Sequence, residues 1–207
     1  ILLLERGGEQ GPVEVSHSTD DRFTDTRQQS FPFAAIVKSD DPECFIHVPD
    51  GKPDPLETSP HVATSLKDLG VGVSTGPVVD FRATDHLRKD PGRDTVPLLY
   101  AQHFDHHQTV WPVEGKKPNA IVRHPATEKS WWPCGTYVVV RRFSSKEERR
   151  RVVASMVRPD ALGNPERIGF ENHLNVYHQD KGGLAEDLAW GLFVYLNSTA
   201  VDEHLRR

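Results

Sequence analysis

The chain has 207 residues, a formal net charge of -5 and two cysteines, Cys44 and Cys134. Its mean hydropathy of -0.55, without an apolar run near the ~20 residues that a membrane helix requires, excludes a spanning segment. The cysteines are far apart and form no C-x-x-C, which argues against a disulfide framework or a thiolate zinc site and fits a cytoplasmic protein. Because the chain starts without Met and ends inside a helical pattern, we expect a piece of a longer polypeptide.

The first 70 residues are acidic, with 13 Asp and Glu against six Lys and Arg. We interpret residues 5–30 as a surface connector with one short strand at 13–15. The runs "FAAIVKSDD" and "ECFIHVPD" predict two short strands, or one bent strand, closed by a turn at Asp50-Gly51, and residues 61–70 predict a short helix that ends at Gly70. Since the charge changes sign after this helix, the expected domains are a connector over 1–70 and a second domain over 71–207.

The stretch "LGVGVSTGPVVDFR" contains three glycines with the spacing of a phosphate loop that is one residue too long. The residues after it alternate and are β-branched, which predicts a second strand entered through a Gly-Pro turn, not the helix that a dinucleotide site needs.

Residues 95–178 contain short β-rich runs separated by proline and charged turns, namely "TVPLLYAQHF", "NAIVRH", "GTYVVVRRF", "RRVVASMV" and "GFENHLNVYH". The capping-box pattern at 145–148 leaves a helix over 146–156 as an alternative to a hairpin with a charged tip. Apolar residues at helical spacing then predict an amphipathic helix over 184–206. Strands followed by a helix indicate an α+β fold, with a coiled or antiparallel β-rich region before a C-terminal helix or helical hairpin.

Two kinds of site compete in the sequence. His103, Asp105 and His107 alternate along a possible strand and could converge on a metal ion, as in a metal-dependent hydrolase, although a polar loop with several histidines explains them better because no H-E-x-x-H or comparable spacing is present. The other candidate is a basic block at 116–158, with 11 Lys and Arg against three Asp and Glu. Such a block suits DNA phosphates, or it forms a solvated hairpin whose arginines pair with neighbouring glutamates.

Three tryptophans, Trp111, Trp131 and Trp132, lie near prolines and either stack on bases or pack over the core. A third possibility is an interaction scaffold in which the C-terminal helix docks on a partner.

Several phrases together resemble the C-terminal target recognition domain of gamma-class, TaqI-like adenine-N6 DNA methyltransferases from bacterial restriction–modification systems. They include "VSTGPVVDFR", "KKPNAIV", "GTYVVVRRFSSKEERRRVVASMV", "IGFENHLNVYH" and "GLAEDLAWGLFVYLNSTAVDEHLRR". The resemblance covers roughly residues 44–207 and implies the fold of a DNA methylase specificity domain. It also implies double-stranded DNA as a partner, together with an N-terminal methyltransferase domain of the same polypeptide.

The family's catalytic Asn-Pro-Pro-aromatic motif is missing, since the nearest string is Asn164-Pro165-Glu166-Arg167. We therefore expect no methyl transfer and no bound cofactor in this fragment, with S-adenosylmethionine held by the parent enzyme. The parent could also restrict DNA, and the fragment does not distinguish the two.

The expected DNA contacts follow from residue type. Phosphate contacts are predicted for Lys116, Lys117, Arg141, Arg142, Lys146, Arg149 and Arg150, and for the small polar turn Ser74, Thr75 and Gly76. Base contacts are predicted for Gln102, His103, Asn119 and Arg123.

Overall fold

The structure is a computed structural model that describes residues 2–49, 56, 59–60, 62–145 and 147–206. It contains two compact units, residues 1–54 and residues 55–206. Within the described ranges, no helix has the length and apolar character needed to cross a bilayer. These units describe how the chain packs. They do not test the functional division expected at residue 70, which stays a prediction.

The first unit is a small hairpin followed by one helical turn. Strands β1 (Val13–His17) and β2 (Arg27–Phe31) pair antiparallel, which confirms and extends the strand expected at 13–15. The strand expected in the next run is wrong, because Phe33–Ile36 forms helix α1 directly after Pro32. Its two alanines favour a helix, and proline is well tolerated at a helix start. The run at 43–49 forms no strand either, and the turn expected at Asp50-Gly51 lies outside the described residues.

The second unit consists mostly of short strands. In chain order they are β3 (Gly72–Thr75), β4 (Leu87–Arg88), β5 (Thr95–Leu99), β6 (Phe104–Asp105), β7 (Gln108–Thr109), β8 (Ala120–Val122), β9 (Trp131–Pro133), β10 (Tyr137–Arg141), β11 (Ala154–Val157), β12 (Arg167–Phe170) and β13 (Leu174–His178). Two helices close the chain, α2 (Glu186–Leu196) and α3 (Thr199–His204). The expected α+β class, with mainly sheet before C-terminal helix, is confirmed at this level.

These strands form two sheets. One has six strands in the order β3-β13-β10-β11-β7-β6, and the other has five in the order β4-β8-β5-β12-β9. Most pairs are antiparallel, but β11 pairs with β7 and β12 pairs with β5 in parallel. Strands β10 and β11 pair antiparallel, which confirms the hairpin interpretation of this region and excludes the alternative helix over 146–156.

The two central strands of the six-stranded sheet, β10 and β11, are buried on both faces. Tyr137 and Val139 of β10 face residues of the five-stranded sheet such as Phe170, whereas Val138 and Val140 pack against α2. A strand covered on both faces needs an unbroken apolar run, which explains "YVVV". The unit is therefore layered, with α2, the six-stranded sheet and the five-stranded sheet in that order.

The C-terminal region contains two helices instead of the single helix expected over 184–206. The Asn197 side chain donates to the Ala154 carbonyl and accepts from the Ala154 amide, both at 3.1 Å. Ser198 then caps α3 by accepting from the Val201 amide. Asn197 therefore separates α2 from α3 and joins the helices to β11.

Two further expectations are wrong. Residues 62–70 form only a turn, closed by a hydrogen bond from the Val71 amide to the Leu66 carbonyl, while His61 lies outside the described residues. The second strand expected after the Gly-Pro turn is one isolated bridge at Val78, followed by a 3-10 helix at Asp80–Arg82. Val78 pairs with Glu171 in the turn after β12, and its amide donates to the Phe170 carbonyl at 3.0 Å.

Candidate nucleic-acid interface

Basic and aromatic side chains collect where β10 ends and β13 begins. Arg141 is the last residue of β10, and the Arg142 amide donates to the His173 carbonyl at 2.8 Å. The loop over 142–153 leaves the sheet from this point and returns at β11. We call this end of the sheet the β10 end.

Exposed rings lie beside the cations at the β10 end. Phe143 is 64% exposed, although a phenylalanine ring ordinarily lies in the core. The Arg142 guanidinium lies 5.1 Å from the centroid of the Phe143 ring, and the His173 ring lies 6.2 Å away on an edge-on approach. This combination of cation and stacking surface is typical of proteins that bind nucleic acid.

A second segment reaches the same end through backbone hydrogen bonds. The Asn172 amide donates to the Val78 carbonyl at 2.9 Å, which brings the 3-10 helix at Asp80–Arg82 beside the turn before β13. Phe81 in that helix is 70% exposed, with the Arg82 guanidinium 5.5 Å from its ring centroid. The β10 end therefore carries two exposed aromatic rings, each with an arginine against it.

Lys117 connects a third segment, the loop before β8, to the β10 end. Its ammonium lies 2.7 Å from an Asp80 carboxylate oxygen and 5.3 Å from the centroid of the Tyr100 ring. The hydrogen bond from Lys117 is the main reason that the pKa of Asp80 lies below its usual range. Burial raises the pKa of Tyr100, so its phenol stays protonated, and among the described residues its hydroxyl has no hydrogen-bond partner.

The side chains predicted to contact phosphate fall into two groups, which differ in whether a carboxylate already pairs with the cation. Arg142, Arg149 and Lys116 are exposed and have no acidic partner in the part of the chain that the structure describes. Arg141 pairs with Glu148, and Lys117 pairs with Asp80, both partly exposed to solvent. A phosphate can replace a carboxylate in such an exposed pair at little net cost, because these pairs contribute only about 0–1 kcal/mol.

Arg150 does not fit the predicted phosphate role. Its guanidinium donates to the Asn197 and Ser198 carbonyls, each at 2.7 Å, and so satisfies groups left open where α2 ends. Lys146 lies outside the described residues.

The turn at 74–76 also differs from the predicted phosphate site. The Gly76 amide already donates to the Leu174 carbonyl at 2.9 Å, and Gly76 is buried. The Ser74 hydroxyl lies 2.8 Å from Nε2 of His178. Only Thr75, which is exposed beside Asn175, keeps a group available to DNA.

The four predicted base contacts are scattered. His103 is fully buried: its Nδ1 accepts from the Tyr100 amide, and its Nε2 donates to Oδ1 of Asn119 at 2.7 Å. Asn119 is buried as well and donates to the Lys89 and Val113 carbonyls. Both residues brace the loop before β8, and this burial leaves neither side chain open to a base.

Gln102 and Arg123 are exposed, but they lie in different places. Gln102 lies beside the Lys117 backbone, on the same side as the β10 end. Arg123 lies 3.8 Å from Glu166, and its amide donates to the Asp94 carbonyl. Since Asp94 precedes β5 and Tyr100 follows it, Arg123 occupies the opposite end of β5 from Lys117.

The metal alternative finds no support in the geometry. His103 points into the core, the Asp105 side chain is exposed, and Nδ1 of His107 lies 2.8 Å from the Ala154 carbonyl. Among the described residues, no group of three or more His, Cys, Asp or Glu side chains is arranged to hold a metal ion.

The three tryptophans Trp111, Trp131 and Trp132 pack instead of projecting into solvent. Trp132 belongs to the core between the sheets, Trp131 packs on the outer face of the five-stranded sheet, and Trp111 donates to the Asn119 carbonyl. The residues that sequence reasoning missed are Phe81, Phe143, Glu171 and His173. Phe143 stands inside "RRFSS", and an aromatic next to paired arginines was the signal that could have found it.

The chain is 48% identical over all its 207 residues to type II methyltransferase M.BsuBI of Bacillus subtilis, of which it covers 41%. It is 41% identical over 179 residues to type II methyltransferase M.PstI of Providencia stuartii, covering 35% of that protein. No protein-family model matches the chain, and no solved structure matches it. The chain is thus similar over its whole length to part of the first methyltransferase and over 85% of its length to part of the second, and it spans 41% and 35% of their lengths.

Proposed function

We propose that this chain is the part of a bacterial type II restriction–modification methyltransferase that recognises the DNA target. The observation that carries the proposal is the β10 end, where the exposed Arg142 guanidinium lies against the exposed Phe143 ring and has no acidic partner among the residues that the structure describes. Similarity to two type II methyltransferases supports it, since enzymes of that kind must bind a defined DNA site.

We assign phosphate contacts to five cations around the β10 end. They are Arg141, Arg142, Arg149, Lys116 and Lys117, and Lys146 remains a prediction of the same kind. Phosphate contacts fix the position of a protein on the duplex but carry little sequence information. The exposed Gln102 side chain next to Lys117 stays a predicted base contact, while Arg123, which lies at the opposite end of β5, is left out of this contact surface.

We assign methyl transfer to the part of the parent enzyme that this chain does not cover. The Asn-Pro-Pro-aromatic motif does not occur in these 207 residues. The parent is proposed to bind S-adenosylmethionine, to flip an adenine and to methylate its N6 in the cytoplasm. Residues 71–207 are proposed as the recognition domain, and residues 1–70 as the connector to the catalytic part.

The proposal is tested by titrating the 207-residue chain into labelled duplex DNA of mixed sequence at 50–200 mM salt. Five phosphate contacts would reduce the affinity on the order of 500-fold over this range, because each contributes about 0.9 to the slope of log affinity against log salt. S-adenosylmethionine binding, measured by calorimetry on the same sample, should be absent. A chain that fails to bind DNA at 50 mM salt, or that binds the cofactor, contradicts the proposal.

A further inference from the structure

One histidine at the β10 end is held in a fixed orientation by a buried carboxylate. Glu171 is only 1% exposed and lies in the turn between β12 and β13. Its two carboxylate oxygens accept from the same residue: Oε2 from the His173 amide at 3.0 Å, and Oε1 from Nδ1 of the His173 ring at 2.6 Å. The carboxylate therefore restrains both the backbone and the ring of His173.

In the neutral form of the His173 ring, this contact determines which nitrogen carries the proton. A carboxylate has acceptors only, so Nδ1 of His173 must donate to Glu171. The neutral ring then has its lone pair on Nε2, and Nε2 has no hydrogen-bond partner among the residues that the structure describes. Because the His173 side chain is 59% exposed, this nitrogen is a hydrogen-bond acceptor that solvent or a ligand can reach.

The groups around His173 are of the kinds with which proteins contact DNA. The Phe143 ring lies 6.2 Å away, and the Arg142 amide donates to the His173 carbonyl. A cation for phosphate, an exposed ring and an oriented polar side chain thus lie together at the β10 end.

We propose that His173 reads one base pair by accepting, at Nε2, a hydrogen bond from an exocyclic amino group in the major groove. The chemistry that fits is N6 of adenine or N4 of cytosine, the amino donors which that groove displays. Glu171 acts as the positioning residue, since it fixes the tautomer and the direction of Nε2. This inference rests on the proposed function and adds to it the chemical class of the group that is recognised.

The test begins by selecting duplexes from a random pool with the full chain, which defines the preferred sequence. Affinities of wild type and His173→Ala are then compared on duplexes that differ from this sequence at one base pair. We expect the variant to lose about fivefold or more of the discrimination at one pair that carries such an amino group, the lower end of what one mismatched pair costs. Affinity for random duplex should stay within about twofold of wild type.

Two further variants distinguish recognition of a base by His173 from a purely structural role of this residue. His173→Gln retains an acceptor oxygen and should keep part of the preference at that pair, whereas Glu171→Gln, with a single acceptor, should relax it at the same pair. His106→Ala is the matched control, because His106 is an exposed histidine that also lies beside a carboxylate, that of Asp105, and strands β10 and β11 separate its turn from β13 in the sheet. It should leave every preference unchanged.

The outcomes distinguish this inference from the proposed function. If His173→Ala keeps the wild-type preference at every pair, or weakens binding to all duplexes equally, His173 is not a base reader while DNA recognition stands. If wild type selects no sequence, recognition itself fails and the inference fails with it.

Discussion

Gly76 provides the sharpest test of the architecture around the candidate interface. A Cβ at this position would lie 2.2 Å from the Glu171 carbonyl oxygen and 2.6 Å from that of Phe170. Carbon and oxygen atoms normally approach no closer than about 3.3 Å, even in favourable contacts. Because the obstructing atoms are backbone, no side-chain rotation can make room for alanine.

The cost of Gly76→Ala follows from what must move. A backbone shift of about 1 Å relieves the clash but disrupts three hydrogen bonds, from Gly76 to Leu174, Val78 to Phe170 and Asn172 to Val78. Overpacking costs about 1–3 kcal/mol, and each lost bond adds about 0.5–1.5 kcal/mol. We expect the free energy of unfolding to fall by about 3–5 kcal/mol, which lowers Tm by roughly 6–20 °C for a unit of this size.

Urea unfolding followed by circular dichroism measures this change. The matched control is Gly191→Ala, because Gly191 lies in α2 with nothing within 4 Å of its added Cβ. That variant should be up to about 1 kcal/mol more stable, through the higher helix propensity of alanine. If the free energy of unfolding of Gly76→Ala lies within 1 kcal/mol of the wild-type value, Gly76 does not approach the Glu171 and Phe170 carbonyls this closely. A phosphate-binding role for this turn would then again be open.

Three other outcomes follow from buried polar groups. Asn119→Ala should destabilise the chain by about 3 kcal/mol or more in urea, because it leaves several interior groups without partners. Arg150→Ala should cost about 1–3 kcal/mol, since the Asn197 carbonyl loses its donor, while the salt dependence of DNA binding stays unchanged. Burial lowers the pKa of His103 and His178, so both favour the neutral form in the fold and unfolding takes up protons in acid. Stability should therefore be full above the ordinary histidine pKa near 6.5 and decline as pH falls below it, and an unfolding midpoint that stays constant between pH 7 and 5 would contradict this.

The β-rich part of the fold was predictable because its signals are local. The run "YVVVR" and the similar runs around it fix strands through β-branched residues bounded by turn residues. Where the sequence misled, a contact from a distant element decides the structure. Asn197 ends α2 because β11 offers its backbone to the asparagine side chain, and nothing within residues 184–206 announces that partner.

The candidate site was only half predictable, for a similar reason. The type of a residue identified Arg142 and Arg149 as suitable for phosphate, and their exposure agrees with that role. Type alone could not tell that His103 is enclosed by Asn119, nor that His173 is presented to solvent by Glu171. Burial depends on which strands cover a position, and that is set by the sheet order.

If DNA binds at the β10 end, removing a cation there must change the salt dependence of binding. Affinity for mixed-sequence duplex is measured against salt for wild type, Arg142→Gln and Arg158→Gln. Arg158 is an exposed arginine of the same basic block, but it lies at the other end of β11 and pairs with Asp160 at 3.0 Å. The account predicts that Arg142→Gln reduces the slope of log affinity against log salt by about 0.9, whereas Arg158→Gln leaves it unchanged. Equal slopes for wild type and Arg142→Gln, or a loss confined to Arg158→Gln, would contradict it.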